Sequence, residues 1–216
     1  SSNGQYRGIA PGASLYFQAL LDKDGRIKLP ENLRNMFGTA YSAGVRIHVN
    51  GWGEDNRQYS GYTDQIDDFV YAYPDFLPIF GAGNNGPEPA SLTSEANSKN
   101  ALVVGSSQVP RPVFSSEAVD AGRVADSSSR GPAQGEQIKP DLLAPGSAVI
   151  SACSRLTESN YTANPAYTRM GGTSMAAAVS GGAAALLSEY LQKQKGFANP
   201  SSALIKALLI NGAQTP

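Results

Sequence analysis

The chain has 216 residues, a formal net charge of −1 and 16% charged residues. The absence of a basic surplus argues against nucleic acid or an anionic membrane as a partner. The length suits one well-buried domain or part of a larger one, and the apolar stretches are shorter than the roughly 20 residues of a membrane-spanning helix. The single cysteine, Cys153, excludes an intrachain disulfide and a cysteine-rich metal site, and its apolar surroundings predict a small core residue.

The first predicted elements are a mostly buried strand over residues 13–21 and a helix after Pro30. The helix ends at Gly44, and its apolar side chains recur at helical spacing: Leu33, Met36, Phe37, Ala40 and Tyr41. A second strand is predicted over residues 45–50.

A second helix is predicted to start at Thr63 as its cap and to end at Pro74. Its apolar face consists of Ile66, Phe69, Val70 and Tyr73. Two further buried strands follow, over residues 76–81 and 101–105, and each ends at a glycine.

Residues 106–140 are rich in Ser, Pro and Gly and are predicted to form long loops, and residues 127–132 with 138–146 are predicted to form a rigid connector. A long helix is predicted over residues 171–195, and a last helix begins at Asn199 and Pro200. The apolar face of this last helix is expected to contain Leu204, Ala207 and Leu208. Strands that alternate with amphipathic helices predict one α/β domain, in which a mostly parallel sheet is covered by helices on both faces in three layers.

The segment most suggestive of chemistry is residues 171–176, Gly-Gly-Thr-Ser-Met-Ala, just before the long helix. Ser174 would lie at a helix N-terminus, where free N–H groups and the helix dipole favour a developing anion. The small residues around it would let a substrate backbone approach the hydroxyl. The alternative is an ordinary capping serine, the commoner role of a serine before a helix.

A second segment, residues 80–87, follows a buried strand at the sheet edge where ligands bind in open α/β sheets. The Asn84 amide could donate a hydrogen bond to a tetrahedral oxyanion there. The alternative is a plain turn, because Asn-Gly pairs favour turns.

These segments, in this order, resemble the subtilisin-like serine peptidases, or subtilases. Residues 8–13 resemble the family's Gly-Val-Ala-Pro stretch, and residues 50–53 its Asn-Ser-Trp-Gly strand end. The resemblance implies that residues 1–216 are a partial subtilisin-like catalytic domain, with Ser174 as the nucleophile. It implies an oxyanion hole made by the Asn84 side chain and the Ser174 N–H. The resemblance also implies that five residues flank the primary specificity pocket: Gly51, Trp52, Gly53, Ala82 and Gly83.

The family's catalytic aspartate and histidine motifs are not present in the sequence. Asp141 matches a structural position of the family, and it is not expected to be the catalytic acid. The only histidine, His48, shares a strand face with Arg46 and Asn50, and a structural role is favoured for it. No lysine is near Ser174 in sequence, so a serine–lysine pair would require folding to bring one close. The chain alone is therefore predicted to be inactive, because Ser174 lacks a base.

Two further departures are Ala178, where the family usually has proline, and Gly51, where close relatives have serine. They leave a second function open, a pseudoprotease whose fold is kept for binding or scaffolding. An unrelated nucleotide-binding domain is disfavoured, because no Gly-x-Gly-x-x-Gly or P-loop follows the first strand.

The resemblance also implies that an aspartate-bearing strand fits between residues 13–21 and residues 45–50. Without it the fold is incomplete, and three outcomes are open: direct pairing of the two strands, self-association through unpaired strand edges, or docking of the N-terminal part of the same catalytic domain. By family, a secreted or extracytoplasmic location and a peptide or protein substrate are expected. No cofactor is required, and no carboxylate cluster is assigned to the structural calcium common in the family.

Overall fold

Among the described residues, the main sheet has four parallel strands in the order β1–β2–β3–β4. The computed structural model describes Gly4, residues 6–109 and residues 120–215. The strands of this sheet are β1 (Ile47–Asn50), β2 (Leu77–Gly81), β3 (Leu102–Ser107) and β4 (Leu142–Pro145). A separate antiparallel pair is formed by β5 (Val149–Ala152) and β6 (Tyr167–Met170).

The helices are α1 (Leu33–Ser42), α2 (Gly61–Ala72), α3 (Thr173–Lys195) and α4 (Ser202–Asn211), with a short 3-10 helix at Glu95–Asn97. The helices form two layers, one on each face of the sheet. Strand β2 contacts both layers, because successive side chains of a strand point to opposite faces. Leu77 and Ile79 pack towards α3 and α4. Phe76, just before β2, and Phe80 pack towards α1 and α2. The predicted three-layer α/β fold with helices on both faces is confirmed.

The first helix follows the sequence prediction closely. Its buried residues are Leu33, Met36, Phe37 and Ala40. In α2 the predicted cap was wrong, because Ser60 is the cap and its hydroxyl accepts a hydrogen bond from the Tyr62 N–H at 3.2 Å. Thr63 instead reaches back, and its Oγ1 accepts from the Ser60 N–H at 3.1 Å. Both hydroxyl residues thus belong to one capping box.

The prediction of a buried strand over residues 13–21 is wrong. Residues 13–20 have no regular structure, Leu21 forms only an isolated bridge with Ile27, and the side chains of Leu15 and Phe17 are 94% and 89% exposed. A strand is stable only when a neighbour pairs with its backbone, and this segment does not pair with β1. Direct pairing of the two segments is therefore not what the structure shows.

Three smaller predictions also need correction. In α4 the buried residues are Ser202 and Ile205, whereas Ala207 and Leu208 are exposed. Cys153 is a half-buried free thiol just after β5 and not a core residue. The predicted connector over residues 138–146 contains β4, which pairs with β3, and the loops predicted over residues 106–140 fall partly outside the described residues.

Asp141 lies at the end of the sheet where β3 and β4 begin. Its carboxylate accepts from the Val103 N–H at 2.7 Å and pairs with Lys139 at 2.8 Å and Lys206 at 3.0 Å. Burial lowers the pKa of Lys139 to about 8. Asp141 therefore ties β3, β4 and α4 together, which agrees with a structural position. Across the described ranges, no helix is long and apolar enough to cross a membrane.

Candidate active site

Ser174 is the second residue of α3, at the carboxyl edge of the main sheet. Its Oγ donates a hydrogen bond to the Gly51 carbonyl oxygen at 3.0 Å. The N–H groups in the first turn of a helix have no partner within the helix, and they carry the positive end of the helix dipole. The Ser174 N–H is one of these groups, so a hydroxyl and a backbone donor lie together at one helix end.

The Asn84 side chain is held beside this helix end by its oxygen. Asn84 Oδ1 accepts from the Thr173 N–H at 3.0 Å and from the Thr173 hydroxyl at 3.2 Å. With Oδ1 engaged, the Nδ2 amide group makes no hydrogen bond to the described residues and remains available as a donor. The structure thus brings together the two residues that the sequence singled out, Asn84 and Ser174, from segments about 90 positions apart.

Thr173 is a residue of this site that the sequence analysis did not identify. Its hydroxyl donates to Asn84 and also accepts from the Gly83 N–H at 3.2 Å. The helix end approaches β2 so closely that a Cβ on Gly81 would lie 2.7 Å from Thr173 Oγ1. Its position directly before the predicted nucleophile is the one sequence signal that could have pointed to it.

The other predicted pocket residues flank this helix end. Residues 51–53 continue β1 beyond its last ladder pair, Asn50 with Phe80. Trp52 packs edge-on against Phe80, with ring centroids 5.3 Å apart. Ala82 is buried and Gly83 has φ +110°, a conformation that favours glycine. Both stretches adjoin the start of α3, since the Gly51 carbonyl accepts from Ser174 and the Gly83 N–H donates to Thr173.

His48 lies on the other side of the sheet from α3. Its ring packs 5.0 Å from the Phe37 ring, and its Nε2 shares a 2.8 Å hydrogen bond with Gln18 Oε1. Burial lowers the pKa of His48 to about 4. Within the described ranges, Ser174 makes no hydrogen bond to a histidine, lysine or carboxylate, and no group of three or more His, Cys, Asp or Glu could hold a metal ion.

A three-layer α/β fold with a serine at a helix N-terminus and an asparagine beside that helix end is compatible with an α/β hydrolase. A protein family model, Peptidase S8, the subtilase family, matches residues 1–216. The chain belongs to the subtilase family, and the predicted resemblance is confirmed. Subtilases are serine peptidases, so the family is one of hydrolases.

Relatives and solved structures agree with this assignment. The chain is 32% identical to serine protease AprX of Bacillus subtilis (strain 168) over 204 residues, covering 87% of this chain and 45% of AprX. It is 26% identical to the serine protease/ABC transporter B family protein tagB of Dictyostelium discoideum over 292 residues, covering 97% of this chain and 15% of tagB. The crystal structure of a lanthipeptide protease shares the fold, with a TM-score of 0.72 at 18% identity over 96% of this chain and 66% of that one. The chain therefore spans less than half the length of these curated relatives.

Proposed function

We propose that this chain supplies the nucleophile and the oxyanion hole of a serine endopeptidase. Ser174 Oγ would attack the peptide carbonyl carbon, with its proton passing to a base outside residues 1–216. The C–N bond would then break, the amine would leave with that proton, and water would hydrolyse the acyl-enzyme. One observation carries this proposal: Asn84 Oδ1 is fixed by the Thr173 N–H, which leaves the Asn84 amide beside the Ser174 N–H.

The oxyanion hole would consist of two donors, Asn84 Nδ2 and the Ser174 N–H. Preorganised donors of this kind stabilise the charge that develops on the carbonyl oxygen, and they cost no reorganisation during the reaction. The Thr173 hydroxyl would hold Asn84 in place. Residues 51–53 would pair with the substrate backbone as an added strand.

The test uses the full-length protein that carries this chain, with a mixture of unstructured peptides as substrate. We expect hydrolysis that is abolished in Ser174→Ala and retained in Ser42→Ala, an exposed serine at the end of α1. The 216-residue chain alone is expected to be silent, because the described residues offer Ser174 no base. Peptide turnover by the chain alone that is lost in Ser174→Ala would contradict this second expectation.

The same proposal implies a partner, the N-terminal part of the catalytic domain. Two features support it. Among the described residues β1 is at the edge of the sheet, and Leu15 and Phe17 are almost fully exposed in the segment whose Gln18 contacts His48 of β1. Self-association through this edge is the alternative. Sedimentation of the chain with and without a separately produced N-terminal part distinguishes a heterodimer from a homo-oligomer.

A pseudoprotease is the second candidate function. It is favoured by the hydrogen bond of the Ser174 hydroxyl to the Gly51 carbonyl, which engages the nucleophile, and by the departures at Gly51 and Ala178. If the full-length protein binds peptides but neither hydrolyses them nor reacts with a fluorophosphonate, this second function replaces the first.

For the location of the protein we propose the extracytoplasmic side, on the strength of the family resemblance. Fractionation of the producing cells, with detection of the full-length protein outside the cytoplasm, tests this proposal.

A further inference from the structure

The Thr93 side chain lies against both walls of the proposed specificity pocket, residues 51–53 and residues 82–83. On the first wall, a Cβ added to Gly53 would lie 2.8 Å from Thr93 Oγ1, 2.9 Å from its Cβ and 3.0 Å from its Cγ2. All three Thr93 side-chain atoms therefore lie directly against the Gly53 backbone.

The second wall contacts the same side chain. A Cβ added to Gly83 would lie 2.9 Å from Thr93 Cγ2 and 2.7 Å from Ser129 Oγ. Since real Cβ atoms are hardly ever found at such distances, neither wall has room for even one more carbon atom on the side facing Thr93. The space that a large substrate side chain would enter is occupied.

Thr93 is held in this position by its own backbone. Its N–H donates to the Ala82 carbonyl at 3.1 Å, and its carbonyl accepts from Asn97 Nδ2 at 3.0 Å. The residue is only 6% exposed, so its side chain has no open solvent to swing into. A bulky ligand could not displace it without breaking these contacts.

The Thr93 hydroxyl also lacks a hydrogen-bond partner among the described residues, although it is buried. Buried hydroxyls are nearly always paired, and an unpaired one is costly. A small polar group on a ligand could supply the missing partner.

We propose that Thr93 forms the floor of the primary specificity pocket and limits the substrate residue before the scissile bond to glycine, alanine or serine. The inference rests on the proposed function for the position of the pocket, and it adds the substrate class. Large apolar and aromatic residues are excluded, because their side chains need the volume that Thr93 occupies.

The experiment measures binding, so that it does not depend on catalysis. Full-length Ser174→Ala protein is titrated with two N-acetylated tetrapeptide acids that differ only in a C-terminal alanine or phenylalanine. We expect the alanine peptide to bind at least about tenfold more tightly, which is the size of discrimination that pocket volume provides. Thr93→Gly should reverse this order, and Thr93→Val, which keeps the volume, should preserve it.

Thr162→Gly, at an exposed position, is the matched control and should leave the order unchanged. If Thr93→Gly does not fold, as judged by its thermal melt, Thr93→Ala replaces it with the same expected reversal. Equal binding of the two peptides, or a preference that Thr93→Gly and Thr93→Ala do not change, would overturn the inference. Failure of the proposed function gives a different result. The protein would then still bind the alanine peptide more tightly than the phenylalanine peptide, but the unmodified protein would hydrolyse no peptide.

Discussion

The Ser174 hydroxyl and the Gly51 carbonyl are joined by a 3.0 Å hydrogen bond across the gap between α3 and the end of β1. The Ser174 hydroxyl proton is engaged in this bond, whereas a nucleophilic serine has to transfer that proton to a base. It is permitted by the absence of a side chain at position 51, because a Cβ there would lie 3.1 Å from Ser174 Cβ and 3.4 Å from Ser174 Oγ.

Replacing Gly51 with serine, the residue that the family resemblance implies for this position, should weaken this bond. The added Cβ would push the end of β1 away by a few tenths of an ångström, and the Ser174 hydroxyl would be freed. A hydrogen bond is worth about 1 kcal/mol, so we expect Gly51→Ser to increase the rate of fluorophosphonate labelling of the full-length protein by about fivefold. Gly12→Ser, at a position with open space around it, is the control. A slower reaction would mean that the close contact distorts the site instead.

Removing the Asn84 amide should slow catalysis while leaving substrate binding nearly unchanged. Loss of one oxyanion donor costs about 10²–10³-fold in kcat, because the donor acts mainly on the transition state. We expect this loss in Asn84→Ala of the full-length enzyme, measured with a peptide substrate. The neighbouring variant Asn85→Ala, which loses only an exposed hydrogen bond to Asp55, should stay within about threefold of the unmodified enzyme. A loss of equal size in both variants would indicate a damaged loop and not a missing donor.

His48 should prove dispensable for catalysis. It lies on the face of the sheet opposite α3, and burial holds its pKa at about 4, below the ordinary value of 6.5. Removing a catalytic base lowers kcat by several orders of magnitude. We expect His48→Gln to keep kcat/KM within about threefold, since glutamine can still bind Gln18. A thousandfold loss with unchanged stability would make His48 part of the mechanism.

The parts of the fold that could be predicted from sequence are those whose signal is local. Leu33, Met36 and Phe37 mark α1 because helical spacing alone defines a buried face. The apolar run of residues 13–21 also predicts a strand from local signal. A strand needs a pairing partner as well, and the sequence of the segment does not determine whether it has one. The four-residue strand β4 lies in a stretch rich in proline and glycine, where periodicity cannot be measured.

The candidate site divides in the same way. The closeness of Ser174 and Asn84 could be expected from the sequence, because each follows a glycine-containing motif next to a recognisable element. Thr173 and Thr93 could not be identified in this way, because their contacts join segments that are far apart in the chain, such as Gly83 with Thr173 across 90 positions. Such contacts depend on how α3 packs against β2, and no short sequence motif predicts them.

Asp141 should matter for stability and not for chemistry. Asp141→Asn would leave the buried Lys139 and the half-buried Lys206 without their counter-charge, and breaking a buried pair in this way costs about 3–5 kcal/mol. Urea denaturation of the full-length protein should show a loss of this size. Asp126→Asn, which breaks only an exposed pair with Arg123, should lose less than about 1 kcal/mol. Equal effects of the two substitutions would contradict the structural role of Asp141.

Glu95 should make the stability of the domain depend on pH. Its Oε2 accepts from the Glu54 N–H at 2.9 Å, its Oε1 has no partner among the described residues, and burial raises the pKa to about 7 from an ordinary value of 4.5. Between these two values the folded state holds more protons than the unfolded state. The free energy of unfolding therefore falls as the pH rises from 4.5 through 7.

Glu95→Gln removes the ionisation, so its advantage over the unmodified protein should grow across this pH window. Urea denaturation of the full-length protein at pH 4.5 and pH 7.5 measures the change, and Glu158→Gln, an exposed position, should leave the pH dependence as it is. Parallel pH profiles for the unmodified protein and Glu95→Gln would show that Glu95 ionises freely in the fold.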